Sequence, residues 1–152
     1  MTLLHTLEAD IARRWQQGTF FTRWNGALPA SSYPGVAWVP YETFMLAQLI
    51  DCTPGQLGKI LVKFPPDMAE DNKLHTHPAS DRIITVIAGS GEFIAQRPSG
   101  AIEHLALIPG NRIWMPRNVL HTLLAGPQGL LVESLHNPWM PITDPQCLVY
   151  PA

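Results

Sequence analysis

His75 and His77 stand one residue apart, and His121 opens a later apolar run. On an extended segment, successive side chains alternate between faces, so His75 and His77 project to the same side. Two imidazoles on one inward face, joined by a third from another strand, supply three corners of a first-row transition-metal site. Asp81 and Arg82 follow as neighbours, and on a regular strand only one of them can share the inward face. Trp114 has the size to line a barrel interior and is a candidate substrate contact. His104, beside a turn, and His136, at the end of a strand run, read as ordinary surface and structural histidines.

The elements that must position these residues are short and apolar. Phe44–Ile50, Lys59–Phe64, Arg82–Ala88, Glu92–Gln96, Ile102–Ile108 and Leu130–Leu135 are strand-like runs separated by Pro and Gly. Gly89-Ser90-Gly91 reads as the turn of a hairpin, and so does the stretch from Gly126 to Gly129. With 15 Pro and only 14% charged residues, the composition suits short strands and tight turns better than a helical bundle. One helix is expected over residues 2–17, where Leu3, Leu7, Ile11 and Trp15 recur four apart, with Thr2 as cap and Gly18 just past the end. Phe20, Phe21 and Trp24 then anchor a loop that runs to Gly35.

Several function classes are disfavoured. The net charge is −2 and no basic run occurs, so no nucleic-acid footprint is expected. No apolar run approaches the ~18 residues that would cross a bilayer. Glu8 and Asp10 interrupt any charged-then-apolar leader, which makes a signal peptide unexpected and cytoplasmic the default location. The two cysteines, Cys52 and Cys147, are read as buried thiols. There is no Gly-rich phosphate loop and no nucleophile elbow.

The histidines and their neighbours resemble the two motifs of the cupin superfamily. The first motif runs His-x-His, three or four residues, Glu, six residues, Gly, and His75, His77 and Gly89 match it. The second runs Gly, five residues, Pro, one residue, Gly, two residues, His, three residues, Asn. Gly110, Pro116 and His121 match that motif in register. Asn118 stands at its second glycine, and Asn tolerates left-handed geometry better than most residues. Ala125 replaces the terminal Asn. At the carboxylate ligand the two ways of counting disagree. Forward from His77, Asp81 fits; backward from Gly89, Arg82 occupies the Glu position. Ligand chemistry favours Asp81, brought to the metal by a local irregularity of the strand.

The resemblance implies an all-β double-stranded β-helix (cupin, jelly-roll) barrel over residues 36–152, preceded by a helix-and-loop extension over 1–35. It implies a metal held by His75, His77, His121 and Asp81, with Fe, Mn, Ni and Zn all open. Arg82 and Trp114 would contact a small organic substrate, in oxygenase, isomerase or decarboxylase chemistry. The alternative is a non-enzymatic ligand-binding or sensing barrel with Arg82 anchoring an anion. A spare helix and exposed strand edges favour a homodimer in which the region before residue 60 contributes to the contact. Light scattering at micromolar concentration should give twice the chain mass, and a value near 16.9 kDa would contradict that.

Overall fold

The computed structural model describes residues 3–24, 36–41, 44–49, 52–68, 73–141 and 144–151. Helix α1 spans Leu3–Gln17. Eight strands follow: β1 (Phe21–Arg23), β2 (Val39–Tyr41), β3 (Phe44–Gln48), β4 (Gly58–Phe64), β5 (Asp81–Gln96), β6 (Ile102–Leu107), β7 (Asn111–Met115) and β8 (His121–Asn137). The strands pair antiparallel in the order β1-β7-β5-β8-β4-β3-β2, with β6 added to β5. The architecture is the expected all-β jelly roll with one N-terminal helix.

β5 and β8 form the spine. They pair from Asp81↔Asn137 at one end to Ala95↔His121 at the other. The first half of β5 also pairs β7, and the second half pairs β6. Neither β5 nor β8 breaks into the hairpin expected at its glycines. The chain instead passes through register shifts between Val86 and Ala88 and between Gly89 and Gly91. Such a bulge bends a strand without ending it. Gly89 permits the bend for two reasons: its φ is +82°, and a Cβ there would lie 2.2 Å from the Gly129 carbonyl oxygen.

Alternation fills the interior. Arg82, Ile84 and Val86 face inward on β5, beside Ile113 and Met115 of β7 and Val132, Ser134 and His136 of β8. Ile60, Val62 and Phe64 of β4 extend this interior face, and Phe93, in the second half of β5, is fully buried. Burying a side chain of that size contributes on the order of 2–3 kcal/mol.

Phe21–Arg23, expected to be loop, instead add a strand to the same sheet, because β1 pairs β7 with Phe21 opposite Ile113. Helix α1 buries Ile11 and Trp15, and ends where the Thr19 amide donates to the Arg14 carbonyl at 2.9 Å around Gly18, whose φ is +79°. Arg97 fastens the helix to the barrel by donating to the Trp15 carbonyl at 2.7 Å and lying over the Trp15 and Phe20 rings. The expected cap at Thr2 and the loop from 25 to 35 lie outside the described residues. Among the described residues no helix is long and apolar enough to cross a membrane.

The bend in β5 can be tested by comparing two glycines of similar φ. Gly100, at +90°, faces open space, so Gly100→Ala should cost only the left-handed penalty of about 1–2 kcal/mol. Gly89→Ala should cost clearly more in urea denaturation because of the Gly129 oxygen. Equal midpoints for the two variants would show that the close approach does not shape the spine.

Candidate metal centre

The segment carrying His75 and His77 is short and extended. His75 and His121 exchange both backbone hydrogen bonds at 2.9 Å, so the first histidine pair docks directly on the start of β8. Asn118, with φ +67°, turns the chain before β8, and its amide donates to the His77 carbonyl at 3.2 Å. This is the left-handed role anticipated for that position. The imidazoles of His75, His77 and His121 therefore meet, and one ligand-capable nitrogen from each lies within 4.8 Å of the other two.

A second set of bonds decides what those imidazoles offer. His75 Nδ1 lies 3.0 Å from the Lys73 carbonyl oxygen, His77 Nδ1 is 2.8 Å from that of Cys147, and His121 Nδ1 is 2.9 Å from that of Val119. A carbonyl only accepts, so each Nδ1 carries the hydrogen and donates it. Each Nε2 is left with its lone pair. This is the usual way in which an outer partner fixes the tautomer of a metal-ligating histidine.

Burial pushes all three imidazoles below their ordinary value, and His77 and His121 well below it. The Arg82 cation adds to the effect at each, as do neighbouring imidazoles at His77 and His121. The three are neutral at pH 7, the state that metal binding requires. The donor set fits a divalent transition ion. Three neutral nitrogens converge, and none carries a proton that must first leave.

The strand register assigns the two adjacent charged residues to different places. Arg82 takes the inward position, directly opposite His136. Its Nε donates to Ser80 Oγ at 3.0 Å and its Nη1 to His136 Nε2 at 2.6 Å. Its Nη2 approaches Cys147 Sγ at 3.9 Å and His77 Nδ1 at 3.3 Å. Because His77 Nδ1 already directs its hydrogen to Cys147, the last approach is a contact and not a bond. Arg82 thus lies behind His77, on the side away from Nε2. Burial lowers its pKa to about 10, partly offset by the Cys147 sulfur, and it stays a cation. Among the described residues no carboxylate pairs with it.

Asp81 points the other way and does not join the histidines, contrary to the expectation that a strand irregularity would bring it to them. Its oxygens accept from the Arg117 amide at 3.0 Å, from the Arg117 side chain at 3.2 and 3.3 Å, and from Asn137 Nδ2 at 3.1 Å. The bulge that would have rotated Asp81 inward lies further along β5, so the first residues of the strand keep plain alternation.

Trp114 is also placed differently from expectation. Ile113 and Met115 face the core, so Trp114 faces out, donating its Nε1 hydrogen to Thr22 Oγ1 at 3.0 Å under the Arg14 guanidinium. It holds the helix and does not line the interior. His104 sits on exposed β6 and pairs with Glu92. His136 is buried against Arg82, and burial followed by that cation depresses its pKa strongly. Sequence reasoning missed its role as the acceptor for Arg82. The signal was the β5–β8 register, which the sequence alone does not state.

Comparison with solved structures adds the fold-level relatives. CapF, the capsular polysaccharide assembling protein of Staphylococcus aureus, superposes with a TM-score of 0.61 at 15% identity over 80% of this chain. This chain spans about a third of CapF's length, 32%. A cupin-2 domain, Rru_A2000 from Rhodospirillum rubrum, gives 0.59 at 15% identity, covering 79% of this chain and 78% of its own. This chain has the cupin fold. KdgF from Halomonas sp. gives 0.55 at 21% identity, covering 77% of this chain and 96% of its own. A single-substitution variant of the oxalate decarboxylase of Bacillus subtilis gives 0.54 at 9% identity, covering 77% of this chain and 29% of its own. No protein-family model and no curated relative matches the sequence. At these identities the likeness concerns the cupin barrel itself, and the chemistry rests on the side chains above.

The depressed imidazoles make a pH prediction for metal-free protein. His75, His77, His121 and His136 are held neutral when folded but titrate near 6.5 when unfolded. The unfolded chain binds more protons as pH falls below about 6.5, so this part of the stability is present above 6.5 and lost below it. Denaturant unfolding should show stability falling between pH 7 and pH 5.5, before most carboxylates titrate. A flat profile across that window would contradict the assignment of buried neutral imidazoles.

Proposed function

We propose that this protein binds a divalent transition metal through Nε2 of His75, His77 and His121 and acts on a small organic molecule at that centre. The observation that carries the reading is the set of three Nδ1···carbonyl bonds, which leaves the Nε2 lone pair of each ring free, on three imidazoles that each place one ligand-capable atom within 4.8 Å of the other two. Fe, Mn, Ni and Zn all accept such nitrogen donors, and geometry and availability select among them. The bound ion would supply Lewis-acid polarisation or oxygen activation, as in oxygenase, isomerase or decarboxylase reactions. The fold alone does not choose between those reactions.

The residues themselves supply the surroundings. The Phe93 ring lies tilted beside His121, with ring centroids 6.1 Å apart, and presents an apolar wall to one side of the group. Arg82 adds fixed positive charge behind His77 where a carboxylate ligand would have reduced it. A centre with three neutral ligands, a dication and a nearby guanidinium favours an anionic ligand on the metal. That supports a second reading, a barrel that binds an anion without turning it over. Near-stoichiometric metal after chelator-free purification supports the first reading, whereas folded protein without metal supports the second.

Variants separate the roles. His121→Ala should abolish near-stoichiometric metal by elemental analysis while the strand-rich circular dichroism is kept. Asp81→Asn should leave metal content unchanged and lower stability by about 2 kcal/mol, through weakened charge-assisted bonds to Arg117 and Asn137. Metal content that is unchanged in the His121 variant, or lost in the Asp81 variant, would refute the ligand set.

A further inference from the structure

Two of the three candidate ligands are oriented by their own local backbone. His75 donates to Lys73 and His121 to Val119, each acceptor two residues back in the chain. His77 has no such local acceptor. Its Nδ1 hydrogen goes to the carbonyl of Cys147, 70 residues away in sequence.

The segment that brings that carbonyl is held at three points. Asp144-Pro145-Gln146-Cys147 closes a turn in which the Cys147 amide donates to the Asp144 carbonyl at 2.9 Å. The Gln146 amide donates to Asp144 Oδ1 at 2.8 Å. Asp at the first position and Pro at the second are the residues that such a turn favours, because one bonds its own backbone and the other presets φ. Two residues past Cys147, Val149 and Thr76 exchange both backbone hydrogen bonds at 2.9 Å. Thr76 lies between the two histidines, so this pairing clamps the segment to the strand it serves. The Cys147 side chain turns inward, with Sγ 3.8 Å from the Met140 carbonyl oxygen and 3.9 Å from Arg82 Nη2.

A neutral imidazole carries one hydrogen, and the nitrogen that bears it cannot bind a metal. With its acceptor removed, His77 is free to place that hydrogen on Nε2, the nitrogen that would bind the metal. We propose that residues 144–150 are the positioning element of the metal centre: the Cys147 carbonyl, fixed by the Asp144 turn and the Val149–Thr76 pairing, locks His77 in the tautomer that presents Nε2. Metal affinity is thereby coupled to the docking of this segment. That consequence rests on the metal-binding reading above, whereas the tautomer of His77 does not.

The test uses full-length, metal-free, nitrogen-15-labelled protein at neutral pH, with imidazole shifts read by NMR and His77 assigned through His77→Gln. Val149→Pro removes the amide that pairs with Thr76, and Val149→Leu keeps it. Wild type and Val149→Leu should show His77 with hydrogen on Nδ1. Val149→Pro should show a mixture of tautomers at His77 alone, with His75 and His121 unchanged, and zinc affinity lowered roughly 10–100-fold. Should Val149→Pro fail to fold, Pro145→Gly loosens the turn instead, and a tautomer mixture at His77 is again expected. A folded variant that keeps His77 in the wild-type tautomer overturns the proposal, as does a change at all three histidines together. A wild type with the expected tautomer but no zinc binding refutes the metal reading and leaves the positioning role standing.

Discussion

The pairing of β5 with β8 is the constraint on which the rest of this molecule depends. It sets His121 opposite Ala95 at one end and Arg82 opposite His136 at the other. Because side chains alternate, a slip of β5 by one residue against β8 would turn Arg82 outward, away from His136, and bring Asp81 in. The irregularities between Val86 and Gly91 shift the register through the bend without ending the pairing, and glycine there admits a close approach of backbone to backbone. His75 then docks on His121 by backbone bonds, so the candidate centre inherits its geometry from the spine.

The charges around that centre are unusual for the family it resembles. The inward position that the motif reserves for Glu holds Arg82, and the neighbouring carboxylate of Asp81 is turned to Arg117 and Asn137. Removing a negative ligand and adding a buried cation both weaken the hold on a dication. They also strengthen the pull on any anion that shares the site. The cation stays acceptable because Ser80 and His136 accept its hydrogens. It acts on the histidines through its field, helping to hold them neutral.

Much of the fold was legible in the sequence. The His-x-His spacing, the left-handed Asn118 and the four-apart apolar positions of α1 each follow from local rules, and each has its physical counterpart in the structure. The continuity of β5 and β8 was not legible, since Gly89-Ser90-Gly91 has the composition of a hairpin turn and only the pairing partner distinguishes a bulge from a reversal. Asp81 and Trp114 were misplaced for one shared reason. Their identities suited a ligand and a cavity wall, but alternation along β5 and β7 overrode identity. The carbonyls of Lys73, Val119 and Cys147 could not be foreseen as imidazole partners, because every residue carries a carbonyl and only the fold selects which ones matter.

If His75, His77 and His121 present three Nε2 lone pairs to one ion, anomalous diffraction from zinc-loaded crystals will locate that ion among them. A single strong peak is expected about 2.0–2.1 Å from Nε2 of all three residues, with no side-chain oxygen of Asp81 among the ligands. A peak bound through any Nδ1, or zinc found only at surface residues, would contradict it.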